Sequence, residues 1–253
     1  MQSSPPAVAT QKTQYITSDL EDLKGLTNYH SWIYQEIQPF LGLRLAEVGS
    51  GLGTFSKVLI DKHLASCSAS IAVYEPAQNL FPHLKDFLDG QYPDLIKSKK
   101  VIFSNSEFSS RPQEYDTIIL INVLEHIKND TAFLQEARES LIKSGRLILF
   151  VPALTWLYSE FDREVGHYRR YTRETLSQLM KQEGFEIIKS IYMDFLGILP
   201  WYIVNVIGKS KSINPKLAKI YDTLGIPLTK TMEKLLPPKI GKNILIIGQK
   251  PKN

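Results

Sequence analysis

The sequence predicts an α/β fold, a mostly parallel doubly wound sheet of seven strands with helices on both faces. Three observations carry this. Short apolar runs alternate with helix-period segments from residue 43 to residue 184. The first apolar run opens into a glycine-spaced turn, EVGSGLGTF, at residues 47–55. The 253 residues are long for one domain and short for two, which fits one domain with an insertion.

An amphipathic stretch at 18–40 carries Leu20, Leu23, Leu26, Tyr29, Trp32, Ile33 and Ile37 at helical spacing. Strands are expected at 43–48, 71–74, 101–103, 117–121 and 147–151. Between them lie helices at 54–64 and 80–88, and a third that Asn129 or Asp130 caps and Gly145 ends. Thr172 caps another helix, closed by Gly184. Two further strands, 185–192 and 243–248, are separated by about fifty helical, proline-punctuated residues. If they pair, the insertion at 195–242 sits over one edge of the sheet.

Hydrophobic content of 43% and charged content of 22% belong to an ordinary globular chain. Residues 1–17 lack the regions of a signal peptide and read as a disordered leader before a single domain at 18–253. No apolar run reaches the roughly 20 residues of a bilayer span. One cysteine, Cys67, excludes an internal disulfide framework and a cysteine-based metal cluster. It reads as a buried bystander in a reducing cytoplasm, and no metal site is expected. The net charge of +4 divides unevenly: +8 from residue 195 onward and −4 before it. That basic tail is either a solvated face or a contact surface for anionic lipid or phosphate. The acidic body and the absence of basic–aromatic interleaving argue against nucleic acid.

The glycine-spaced turn must swing from strand to helix while its backbone touches a ligand, and the helix after it offers unpaired N–H groups to an anion. Gly49, Gly51 and Gly53 depart from the dinucleotide pattern G-x-G-x-x-G, with Thr54 where Gly or Ala is wanted. Glu75, after the second strand, stands where a carboxylate accepts two ribose hydroxyls.

With LAEVGSGLG, VYEP, IILINVLEHI, GRLILFVPA and GHYRRYT, the sequence resembles the Rossmann-like S-adenosylmethionine-dependent methyltransferases. It is most similar to the bacterial branch found with glycan and natural-product pathways. The resemblance covers about 20–193 and the last strand, and implies a sheet whose last strand is antiparallel. It also implies that Glu47, Gly49, Ser50, Gly51 and Gly53 wrap the cofactor and that Glu75 and Pro76 take its ribose. Ser106 or Glu107 would lie near the adenine, where the family commonly has Asp. Asn122 and Val123 would meet the cofactor's amine, with Tyr29 beside them.

Methyl transfer needs positioning more than acid catalysis, and a base only for hydroxyl or ammonium acceptors. His167, in a polar and aromatic loop after the fifth strand, is the leading candidate for general base, and His126 the second. Arg169, Arg170 and Tyr171 would meet an acceptor, or an arginine would pair with Asp162 or Glu164 to hold the loop. The apolar stretch 195–208, with Trp201, is expected as a lid, a dimer contact, an interfacial anchor through 195–211, or a buried helix. The acceptor is then a small or amphiphilic molecule. Two alternatives stand: a nicotinamide-dependent oxidoreductase, which the glycine spacing opposes, and a cofactor-binding assembly protein without catalysis.

Overall fold

A computed structural model of the protein describes residues 25–252. The expected leader and the residues 18–24 of the amphipathic stretch lie outside the described residues. In chain order the elements are α1 (Thr27–Ile37), β1 (Arg44–Val48), α2 (Thr54–Leu59), β2 (Ser70–Tyr74), α3 (Phe81–Gln91), α4 (Pro93–Lys97), β3 (Val101–Ser104) and β4 (Tyr115–Ile121). They continue as α5 (Asp130–Ser140), β5 (Leu141–Pro152), α6 (Glu160–Glu164), α7 (Arg173–Gln182) and β6 (Glu186–Met193). The last are α8 (Ile198–Trp201), α9 (Pro215–Ile220), α10 (Ile226–Leu235) and β7 (Asn243–Gln249).

The seven strands form one sheet in the order β3-β2-β1-β4-β5-β7-β6. β1 to β5 run parallel, and β7 is antiparallel to both β5 and β6. The two late strands therefore do pair. Because successive side chains of a strand point to opposite faces, each strand feeds two cores. Leu147, Leu149 and Val151 pack on one face with Phe133, Leu134 and Ala137 of α5 and Leu176 and Met180 of α7. Ile148 and Phe150 pack on the other with Trp32, Ile33 and Ile37 of α1 and Leu84 and Leu88 of α3.

Two boundaries and the burial of Cys67 differ from expectation. The helix that Asn129 caps ends at Ser140 and not at Gly145, because buried Leu141 takes an extended backbone and pairs with Tyr115 at the start of β5. The helix after the glycine turn is α-helical only to Leu59 and continues as a π-helical turn over Ile60–Leu64. Cys67 is half-buried, and its thiol donates to the His63 carbonyl (3.2 Å).

The insertion is fastened to the body by its own acids. The Asp222 carboxylate accepts from the backbone N–H groups of Asn28 (3.2 Å) and Tyr29 (2.9 Å), and so caps the otherwise unsatisfied start of α1. Glu233 Oε1 accepts from Phe195 N (2.8 Å), which ties the insertion to its own first residue, where it leaves β6. Among the described residues no helix is long and apolar enough to cross a membrane.

Candidate active site

In the order β3-β2-β1-β4 the chain reverses direction across the sheet between β1 and β4, where a crevice opens outside the carboxyl ends of the strands. A cleft of about 1900 Å³ occupies that place. Its walls bring together most of the residues singled out in the sequence: Glu47, Gly49, Ser50, Gly51, Glu75, Pro76, Ser106, Glu107, Asn122 and Val123. Tyr29, His126, His167, Arg170 and Trp201 line it too.

The glycine turn is built for backbone approach. Gly49, Gly51 and Gly53 have φ of +71°, +58° and +80°, the left-handed region that disfavours side chains. A Cβ on Gly49 would meet Val123 Cγ2 at 2.7 Å, so this residue packs the turn against the loop after β4. A Cβ on Gly51 would meet nothing within 4 Å and would project into open space. Gly53 does not line the cleft; a Cβ there would strike Phe87 and Leu84 of α3. Its role is close packing.

Glu75 joins the turn to β2. Its carboxylate accepts from Gly51 N (2.6 Å) and Ala77 N (2.8 Å), which leaves a lone pair on each oxygen for further donors. Burial raises its pKa, and the two backbone bonds oppose that rise. Glu47 is fully enclosed beneath the turn and accepts from Ser56 Oγ (2.5 Å). Burial pushes its carboxyl up to about 8.

The protonation of Glu47 has a testable consequence. The folded chain holds a proton there between the ordinary carboxylate range and about 8, whereas the unfolded chain has released it. Stability from this group is thus fully present below the unfolded pKa and lost as pH rises through about 8. Thermal unfolding of the unliganded protein should move to lower temperature between about pH 5 and pH 8, a slope that buried Glu125 shares, and Glu47→Gln should reduce it. An equal slope in the variant would remove Glu47 as its source.

The same cleft is lined by three groups from two further loops. Glu125 and His126 belong to a one-turn 3-10 helix, Leu124–His126, after β4. His167 comes from the loop after α6, tied to that turn by Tyr168 N donating to Glu125 O (2.9 Å). The two imidazole rings meet edge to face with centroids 4.5 Å apart. His167 Nε2 lies 3.8 Å from Glu125 Oε1.

Glu125 has no solvent exposure, and neither carboxyl oxygen finds a hydrogen-bond partner among the described residues. Burial raises its pKa to about 8. Burial, with His167 nearby, lowers that of His126 to about 3, which keeps its ring neutral.

Asp162 sets the orientation of His167. Its Oδ1 lies 2.8 Å from His167 Nδ1 and 2.9 Å from Arg170 Nε, and its Oδ2 accepts from Arg170 Nη2 (3.0 Å) and Ser159 N (2.9 Å). Burial opposes ionisation of this carboxyl, but the hydrogen bonds from His167 and Arg170 hold its pKa below the usual range. An ionised Asp162 makes Nδ1 the donor and leaves Nε2 as the lone-pair nitrogen on the side of Glu125.

Arg169 and Tyr171 stand apart from the cleft lining. Arg169 donates to Asp130 Oδ2 (2.6 Å) and to Lys128 O (2.7 Å), and the Tyr171 hydroxyl donates to the same Asp130 oxygen (3.0 Å). Both pin the loop to the start of α5. Asp162 and Arg170 pair, as the loop-holding alternative expected. Trp201 is half-buried: its indole N–H donates to Leu157 O (3.1 Å), and the Arg170 guanidinium stacks on its ring at 4.8 Å. Tyr29 donates its hydroxyl to Asn243 Oδ1 (3.0 Å). Glu125 is the site residue that sequence reading missed.

The methyltransferase domain family matches residues 26–190, which include the glycine turn, Glu75, the Leu124–His126 turn and the His167 loop. The chain belongs to that family. The first of the similar solved structures is phosphoethanolamine N-methyltransferase 2 of Haemonchus contortus, in complex with phosphomonomethylethanolamine and S-adenosylhomocysteine. Its TM-score is 0.63 at 13% identity, over 94% of this chain and 58% of that one. A SAM-dependent methyltransferase of Thermotoga maritima superposes with a TM-score of 0.59 at 17% identity, over 95% and 100% of the two chains. The [4+2]-cyclase SpnF shares the fold as well, with a TM-score of 0.56 at 14% identity, over 89% and 80%.

Among curated proteins, the highly reducing polyketide synthase pkhB of Emericella nidulans is 24% identical over 139 residues. That match takes in 54% of this chain and spans only 5% of the synthase.

Proposed function

We propose that this protein transfers a methyl group from S-adenosylmethionine to an oxygen or nitrogen atom of a small-molecule acceptor, by in-line displacement. The observation that carries this reading is the shared cleft. The open backbone of Gly51 and the Glu75 carboxylate line it together with Glu125, His126 and His167. A fold that a cyclase also uses does not set the chemistry; the side chains in the cleft do.

Gly49, Ser50 and Gly51 would hold the aminocarboxylate end of the cofactor. Glu75 would take the ribose hydroxyls, Ser106 and Glu107 the adenine end, and Asn122 and Val123 the amine. When bound, the cofactor supplies an electrophilic methyl group whose leaving thioether is neutral. The remaining work falls to the chain: His167, held by Asp162, presents Nε2 to take a proton from an acceptor hydroxyl or ammonium. Glu125 and His126 form the buried polar surface against which the acceptor atom is placed.

For the acceptor, we favour an amphiphilic or natural-product molecule, with Trp201 at the cleft wall and the insertion beyond it. The likeness to a polyketide synthase segment and the GHYRRYT loop support the natural-product side, and the exposed Leu199, Ile203 and Ile207 of the insertion would suit an amphiphile.

Calorimetric titration separates this from the oxidoreductase reading. S-adenosylmethionine or S-adenosylhomocysteine should bind and NAD should not; the reverse pattern would end the proposal. Glu75→Ala should weaken cofactor binding by about 1.5–3 kcal/mol, since charge-assisted hydrogen bonds are lost and the turn's N–H groups lose their acceptor. Incubating labelled cofactor with an extract of the source cell should then transfer label to one class of small molecule. Binding without any transfer would favour the non-catalytic alternative.

A further inference from the structure

The strongest unassigned surface is on the insertion. From Pro215 to Leu235 the chain is one continuous helical run: α9, a π-helical turn over Tyr221–Gly225, and α10. Its two faces are sharply different. Asp222, Ile226, Thr229 and Glu233 are buried against the body. Leu217, Ile220, Leu224, Leu228, Met232 and Leu235, at steps of three or four residues, all point outward. Leu224 is 68% exposed and Leu235 81%. Such a run is about 32 Å long at 1.5 Å per residue. An apolar stripe of that length is far outside what a solvated face tolerates.

The insertion's own outward charge is of one sign. Asp222 and Glu233 are the only acids between residues 195 and 242, and both are turned inward and used as hydrogen-bond acceptors there. Outward lie Lys216 and Lys234 along the run, with Lys209 and Lys239 exposed on either side of it in sequence, while Lys219 donates to the Gly25 carbonyl (2.9 Å) and Lys211 pairs with Glu164 (3.8 Å).

We propose that this face docks on an anionic lipid surface, with the 215–235 run lying in the plane of the interface. An apolar stripe flanked by lysines has the composition of an in-plane interfacial helix. A second copy of the chain is the poorer occupant, because a two-fold pairing would bring each lysine flank against the same flank of its partner. The docking face extends beyond the stretch that the sequence pointed to: in 195–208, Trp201 is turned into the body and Asn205 is buried, while Leu199, Ile203 and Ile207 are exposed and add to the apolar surface. The proposal is independent of the acceptor chemistry, but it places a cleft lined by Trp201, Ile213 and Lys242 of the insertion near the lipid.

The test is vesicle flotation of the full-length, untagged protein. With phosphatidylcholine vesicles containing about 30% phosphatidylglycerol the protein should float, and with phosphatidylcholine alone binding should fall by about 10- to 100-fold. This follows from roughly fivefold in partitioning per lysine near an anionic surface. The double variant Leu224→Asp, Leu228→Asp should lose binding by more than tenfold, with its melting temperature and S-adenosylhomocysteine affinity unchanged. Protein that stays at the bottom with anionic vesicles, or a double variant that floats like the parent, overturns the proposal. So does a dimer in sedimentation velocity that the same two substitutions dissolve, since the face would then belong to a second copy. Failure of cofactor binding in the titration above would leave the flotation result standing, and the reverse holds as well.

Discussion

Replacing Asp162 by Ala should destabilise the protein by about 3–5 kcal/mol, the range for removing one partner of a buried ion pair. Asp162 is wholly buried, and its carboxylate collects donors from His167, Arg170 and Ser159 at once. Arg170 is itself almost inaccessible, with Asp162, the Ala153 carbonyl (3.2 Å) and the Trp201 ring around it. Without Asp162 its guanidinium would be a buried charge without a carboxylate. Urea unfolding followed by tryptophan fluorescence measures the loss, with Trp201 as a local reporter. Removing the second charge should recover much of it: Asp162→Ala with Arg170→Met is expected to unfold later than Asp162→Ala alone, because the orphaned cation is gone. A single variant within about 1 kcal/mol of the parent would mean that water reaches this cluster.

His167→Ala should lower turnover by about 10²-fold or more, with cofactor affinity little changed, if its Nε2 takes the acceptor's proton. The imidazole is held by Asp162 and lines the cleft without belonging to the glycine turn, so its removal leaves the proposed cofactor residues in place. His167→Gln keeps a side chain able to hydrogen-bond to Asp162 but provides no base, and should be nearly as slow. Measured together, calorimetric affinity for S-adenosylhomocysteine and single-turnover methyl transfer separate the two effects. An unchanged rate would move the proton to Glu125, or point to an anionic acceptor that needs no base.

The sheet was legible because its strands are short apolar runs between turn residues. The antiparallel end was not legible from the strands themselves, because about fifty helical residues separate β6 from β7; the family resemblance supplied that expectation. The glycine-turn end of the cleft was legible for the same reason: Gly49, Gly51 and Glu75 follow strands at fixed spacing, and the strands put them in one crevice. The other half of the site depends on contacts between loops distant in sequence. Arg169 and Tyr171 look like acceptor ligands in GHYRRYT until Asp130, some forty residues earlier, takes both. Glu125 went unread because the histidine beside it drew attention. The signal was there in a carboxylate set between Leu124 and His126-Ile127, on a turn too apolar to leave it in water. The outward stripe of 215–235 has a plain helical period, yet periodicity alone cannot say which face meets the body.

The pairing of Met193 with Asn243 at the open end of the β6–β7 ladder carries a consequence for how this protein can diversify. The excursion over residues 194–242 leaves the sheet and rejoins it at directly opposed positions, with Gly241 pressed against the Met193 backbone. Its entrance and exit are one point, so the sheet experiences the whole segment as though it were a hairpin turn. A segment attached in that way can lengthen, shorten or be exchanged while the strand register behind it is kept. The glycine turn and Glu75 lie across β1 and β2, on the far side of β4 and β5 from that junction. Relatives of this chain can therefore trade one excursion for another, and with it the surface they approach, on an inherited cofactor crevice.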